Sequence, residues 1–200
     1  MIKALSAAAV TITAFPLLVI VLAAASPGTP APAAGSAAGL AGEPTGLARA
    51  GIPADYLTWY TGAAQTCPGL PWAVLAGIGK VESDHGRSDL PGVHAGANAA
   101  GAEGPMQFLP GTFAEFAVNA DPAQPLTPYD PADAIYTAAR LLCADGARGA
   151  STTGIEQAIF AYNHAGWYVA EVLSWAGVYA GWYGSGPVTT RPTSVQETSS

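Results

Sequence analysis

The chain has 200 residues, half of them apolar, which is enough for one domain with a proper core and too few for two full-sized ones. Only 10% are charged, and acids outnumber bases 14 to 7 for a formal net charge of -7. That balance lacks the basic patch on which nucleic-acid binding rests and argues against adhesion to an anionic surface by bulk charge.

Met1 and Lys3 open a short basic end, after which Ala4 to Ala25 runs for 22 residues without a charge and finishes "AAAS". This reads as an export signal. A cleavable apolar region is usually about 7 to 15 residues, whereas a helix of this length, at roughly 1.5 Å per residue, could cross a hydrocarbon layer of roughly 30 Å. Residues 1–25 are therefore either a signal removed after Ala25 or an uncleaved membrane anchor. Both put the remainder outside the cytoplasm. Any membrane contact is expected only through this segment. Cys67 and Cys143, the only two cysteines, are in that oxidising setting expected to form a disulfide, the alternative being two buried free thiols.

Residues 26–50, "SPGTPAPAAGSAAGLAGEPTGLARA", are poor in large apolar side chains and rich in Pro, Gly and Ala, and read as a linker spanning about 25 to 30 Å as a flexible coil. The tail 184–200 has the same character and is expected to be disordered. No internal repeat is visible. Between them, residues 51–183 carry helix start signals: Pro at a first helical position in "IPADYLTWY" and "LPWAVLAGIGKVE", and Asp130-Pro131 before "ADAIYTAARLLCA". Two further helical patterns begin near Gly154 and Gly166, with "YNHA" between them. Periods near 3.6 dominate and strands are hard to find, so the class is all-α or nearly so.

In "LPWAVLAGIGKVESDHG" the positions Leu75, Ile78, Gly79 and Glu82 follow i, i+3, i+4, i+7, one face of a helix. Glu82 thus occupies a slot that faces the core, close to a helix end that Gly86 is expected to stop. Apolar surroundings and the negative end of the helix dipole both disfavour its ionised form, so its pKa should be high, the property of a general acid near neutral pH. The plain alternative is a Glu at a frayed end, turned into solvent. Asp84, about 200° further round the helix, belongs to another face. Gly77 and Gly79 each cost the helix about 1 kcal/mol relative to Ala, which implies close approach of a neighbour.

Other motifs fail. "GIGK" has Val74 and Val81 where a phosphate loop needs Gly and Ser or Thr. His85, His94 and His164 lack metal-ligand spacing and read as surface or loop residues. No Gly-x-Ser-x-Gly or Cys/His signature occurs, and no cofactor or metal is implied.

Three segments in order, "GIGKVESDHG" (77–86), "GAEGPMQFLPGTF" (101–113) and "AYNHAGWYVAEVL" (161–173), resemble the lytic transglycosylases of the goose-type lysozyme-like superfamily. Their pattern is a Glu-Ser pair at a helix end, a Gly-x-Met-Gln loop and an Ala-Tyr-Asn segment. The resemblance implies a single lysozyme-like helical domain that acts on peptidoglycan glycan strands. It would cleave the bond after N-acetylmuramic acid, the sugar's own 6-hydroxyl closing onto C1 to leave a 1,6-anhydro end. It also implies Glu82 as acid and then base, with Ser83, Met106, Gln107, Tyr162 and Asn163 at cleft positions.

Two carboxylates serve ordinary glycosidases, while substrate-assisted ones need one, and only Glu82 has a site legible in the sequence. Glu103 departs from the small or neutral residue expected before "GPMQ" and is unassigned. Met106 and Phe108 read equally well as core, whereas a mere chain turn is the lesser alternative for Tyr162 with Asn163. Asp130, Pro131 and Asp133 read as a helix start, and Trp167, Tyr168, Trp175, Tyr179 and Trp182 as packing, with a sugar platform as the alternative for any one of them. A lysozyme-like muramidase and a non-catalytic glycan-binding module are the other functions this pattern allows. Oligomeric state is not legible.

Overall fold

The apolar run that follows Pro71 forms the helix around which the others assemble. The structure, a computed structural model, describes residues 37–149 and 151–182, so the leading segment 1–25, the first part of the expected linker and the tail 184–200 lie outside the described residues. Among those described there are seven α-helices and no strand, only a single antiparallel bridge between Glu103 and Phe108. The all-α expectation holds.

The helices are α1 (Gly46–Gly51), α2 (Ala54–Gln65), α3 (Trp72–Ser83), α4 (Pro110–Phe116), α5 (Pro131–Leu142), α6 (Thr152–Tyr162) and α7 (Gly166–Ala180). In α3 every residue from Trp72 to Gly79 is buried, so the helix is enclosed on all sides and not on one face as its spacing suggested. It packs most extensively along α7 and also against α2 and α5. The two glycines make this possible. A Cβ on Gly77 would lie 2.5 Å from the Val172 carbonyl oxygen of α7, and one on Gly79 would collide with the Tyr60 hydroxyl of α2. The expected close approach is therefore present on two sides of α3.

The starts follow local chemistry. Asp130 caps α5 by accepting a hydrogen bond from the Asp133 amide at 3.0 Å, with Pro131 at the first helical position. Pro53 and Pro71 each sit one residue before the first helical position, as N-caps. Ser151 caps α6 through the Gly154 amide. Cys67, just after α2, is bonded to Cys143 at the end of α5, with a Cα–Cα distance of 5.7 Å. The expected disulfide is formed, and it ties the two helices that flank α3.

The linker reading does not hold for residues 37–50. Ala37–Ala41 is a 3-10 turn, and Thr45 caps α1 through the Ala48 amide while its own amide donates to the Tyr179 carbonyl at 3.0 Å. Leu40 and Ala48 are buried, and the Trp72 indole donates to the Gly42 carbonyl at 2.7 Å. The folded body thus starts before Gly51. Composition concealed this because the segment contributes backbone groups and small side chains that fit close against α3 and α7, where the sequence pattern rewards large apolar ones.

Candidate active site

Glu82 lies in the last turn of α3, and the chain reverses directly after it. The helix ends at Ser83, and Asp84, His85 and Gly86 all take left-handed backbone angles, with φ of 52°, 58° and 72°. The stop is therefore two residues earlier than the glycine suggested. Left-handed conformations at residues other than glycine cost of order 1 kcal/mol or more each and persist only where surroundings over-determine them. Here they do. The Asp84 carboxylate pairs with Lys80 at 2.5 Å and with Arg87 at 2.9 Å, whose guanidinium also donates to the Gly51 carbonyl at 2.8 Å. Hydrogen bonding from Arg87, and then from Lys80, holds the Asp84 pKa down to about 2. Both Asp84 oxygens are taken up by Lys80 and Arg87, and neither bonds to Glu82.

His85 lies in the turn after α3, as a loop residue, but not at the surface: it is 1% exposed. Nδ1 lies 3.0 Å from the Tyr60 hydroxyl and Nε2 2.9 Å from the Tyr179 hydroxyl, so a neutral imidazole donates to one and accepts from the other. Burial, aided by the charge of Arg87, lowers its pKa to about 4. His94 and His164 are exposed, as expected.

The Glu82 carboxyl is largely buried, and burial raises its pKa to about 7 against the lowering effect of one hydrogen bond, donated to Oε1 by the Tyr168 hydroxyl at 2.5 Å. No other carboxylate is among the causes of the shift. Oε2 has no hydrogen bond among the described residues. Since no buried side-chain oxygen there lacks a partner, Oε2 is reachable by solvent. The frayed-end alternative is thereby excluded: one oxygen is anchored by Tyr168, and the other is unpaired and in contact with solvent. Tyr168 was read as packing, and its role at Glu82 had no signal beyond its position six residues after Tyr162. Its phenol is itself pushed well above its ordinary pKa by burial, so it remains a donor.

The other expected cleft residues divide into supports and open groups. Ser83 is buried; its hydroxyl donates to the Pro105 carbonyl at 2.6 Å and accepts from the Gly86 amide at 2.8 Å, which clamps the helix end to the 104–107 loop. In that loop Gly104 has φ of 75° and lies so close to the Pro128 carbonyl that a Cβ would collide with it, which explains the glycine. The Met106 side chain is fully buried and belongs to the core, so it reaches no ligand. Its carbonyl instead accepts a hydrogen bond from the Tyr162 hydroxyl at 2.7 Å. Gln107 uses its amide within the loop, accepting from Asn98 and donating to the Gly104 carbonyl, both at 2.8 Å. One amide hydrogen of Gln107 is left for another partner. Asn163 ends α6 and is half-buried, and its side-chain amide has no partner among the described residues.

Two further sequence readings meet their geometry here. Asp133 is buried and accepts from the Ala120 and Thr127 amides, a structural role. Of the aromatic set, Tyr168 and Tyr179 are buried and Trp175 and Trp182 half-buried, but Trp167 is 65% exposed and does not pack as expected. Two concavities of about 710 and 770 Å³ lie elsewhere, one beside Cys143 and Tyr136 and one between Ala41 and Trp72, and neither includes Glu82. Their linings hold no group in an environment comparable to that of Glu82, whose open oxygen and raised pKa define the candidate site.

No helix among the described residues is long and apolar enough to cross a membrane. No protein-family model and no curated protein matches the sequence. Among solved structures, the Escherichia coli lytic transglycosylase Slt35 in complex with bulgecin A is similar to this chain, with a TM-score of 0.49 and 16% identity, covering 64% of this chain and 74% of that one. Nothing about the site is transferred from a likeness of that size.

Proposed function

We propose that the chain is a peptidoglycan lytic transglycosylase with Glu82 as its one proton-transferring group. The observation that supports this most is the Glu82 carboxyl itself, its pKa raised to about 7 by burial, anchored through Oε1 and unpaired at Oε2. A two-carboxylate hydrolase needs a partner about 5 to 10 Å away to act on water or on the sugar, whereas a substrate-assisted reaction needs only the acid.

In this reading Glu82 gives its proton to the bridging oxygen as the bond from C1 of N-acetylmuramic acid breaks. The 6-hydroxyl of the same sugar then forms the new bond to C1 and passes its proton to the Glu82 carboxylate. The acid is regenerated and no water is consumed. Tyr168 holds Glu82, Ser83 and Tyr162 fix the loop that carries Met106 and Gln107, and the Asn163 amide is free for substrate. The chain works outside the cytoplasm, delivered by residues 1–25. Fractionation that recovers only a soluble form beginning at Ser26 excludes a retained anchor.

The test is mass spectrometry of purified wall digested by wild type and by Glu82→Gln. Wild type is expected to release 1,6-anhydro ends, and the variant to lose about 10²- to 10⁴-fold in rate, the range for a general acid-base group. Reducing ends would make the enzyme a muramidase. Unchanged, inactive wall binding by both proteins would leave only a glycan-binding module.

A further inference from the structure

A row of aromatic rings leads from the core past Glu82 to the surface. Phe113 meets Phe108 at 5.7 Å between centroids, Phe108 meets Tyr162 at 5.7 Å, and Tyr162 stacks on Tyr168 at 6.5 Å with an interplanar angle of 5°. Tyr168, whose hydroxyl holds Glu82, is in turn met edge-on by Trp167 at 5.9 Å and 80°. Phe113, Phe108 and Tyr168 are buried, while Trp167 at the other end is 65% exposed.

The other four tryptophans are buried or half-buried, and several have evident tasks. Trp72 donates to Gly42, Trp175 lies against Lys80 and Tyr179, and Trp182 fills the space beside Gly39. Trp167 has a single ring contact, and its indole N–H has no partner among the described residues. A lone exposed apolar side chain is ordinary on a protein surface, and Leu90 is as open; what sets Trp167 apart is its ring contact with the tyrosine that holds Glu82.

We propose that Trp167 is the stacking platform for one pyranose ring of the glycan strand at Glu82. This rests on the glycan-cleaving reading and adds to it a residue that selects for strand length. A β-1,4-linked amino sugar carries its substituents equatorially, so its flat face offers C–H groups to an aromatic plane while its hydroxyl and acetamido groups stay at the rim. The free indole N–H is placed to donate to that rim. One isolated indole matches one sugar ring, whereas a protein or lipid partner calls for a contiguous apolar area. Continuity with the Tyr168–Glu82 pair puts the ring on the same strand whose bond Glu82 would protonate.

The experiment is calorimetric binding of chitotetraose and of soluble uncrosslinked glycan strands in a Glu82→Gln background, which removes turnover. Adding Trp167→Ala is expected to weaken binding roughly tenfold, with Trp167→Phe staying within roughly threefold of the parent. Alanine binding within about twofold of the parent, or a parent that binds neither probe, overturns the platform. With Glu82 intact, Trp167→Ala should raise KM on long strands and leave the pH midpoint of the rate unchanged. A shifted midpoint at constant KM would mean that Trp167 only supports Tyr168 and would also overturn the proposal. Failure of the wild type to cleave wall, with strand binding still dependent on Trp167, would remove the enzymatic reading and leave the platform standing.

Discussion

Glu82 and His85 are three residues apart at one helix end, and burial acts on both in the same sense, against charge. It lifts the Glu82 carboxyl to about 7 and drops the His85 imidazole to about 4. Their surroundings differ in what is left over. Both ring nitrogens of His85 are engaged by Tyr60 and Tyr179, so the ring is sealed and complete. Only one oxygen of Glu82 is engaged, by Tyr168, and the other is open. A shifted pKa thus marks both a structural clamp and a candidate catalyst, and the unfilled hydrogen-bonding capacity separates them.

The sealed side should show the larger stability effect. His85→Ala leaves a cavity and strands two tyrosine hydroxyls beneath it, for an expected loss of about 3 to 5 kcal/mol in denaturant unfolding. A loss below about 1 kcal/mol would mean that the left-handed turn is held by the Asp84 ion pairs alone.

The open side should gain stability when its acid is removed, and the sign depends on pH. A carboxyl whose folded pKa is raised from 4.5 to about 7 binds more protons folded than unfolded across that window. Its neutral form contributes fully below 4.5, and the contribution is lost as pH rises through about 7. Glu82→Gln, which keeps an acceptor for Tyr168, should match wild type near pH 4 and exceed it near pH 8 by up to about 3 kcal/mol. A constant difference at the two pH values would contradict the buried carboxyl. His85 has the opposite sign: its pKa is lowered from 6.5 to about 4, so its contribution is complete above 6.5 and is lost as pH falls through 4. Between 4.5 and 6.5 the two slopes oppose, and wild type should be flatter with pH than either single variant.

Smaller still is the effect expected for Tyr168→Phe. It removes the hydrogen bond that lowers the Glu82 pKa, so the alkaline limb of the wall-lysis profile should move upward while the rate at the optimum falls by about tenfold or less. An unmoved limb would separate Tyr168 from the titration of Glu82.

The same contrast explains what the sequence made legible. The direction of the Glu82 shift was legible because an apolar helix already implies a buried end, although the burial that raises it comes from the helices packed around α3. The disulfide was legible from the count of two cysteines together with an expected oxidising setting. His85 was not, because its burial depends on Tyr60 and Tyr179, which lie 25 and 94 residues away and carry no pattern linking them to it. Tyr168 was hidden in the same way, as one aromatic in an apolar run. Gly86 suggested the helix stop because glycine is the usual left-handed residue, but Asp84 takes that conformation first, held by its own ion pairs. Met106 illustrates the limit of motif transfer: the position matters through its backbone carbonyl, while its side chain fills the core.

The central claim is that the protein's interior holds a proton on Glu82 near neutral pH. The most direct measurement is a carbon-13 NMR titration of the Glu82 side-chain carboxyl, identified by the signal that disappears in Glu82→Gln. The expected midpoint is about 7. A midpoint at the ordinary 4.5 would show a carboxylate already ionised when the glycosidic oxygen needs its proton, and would contradict the account.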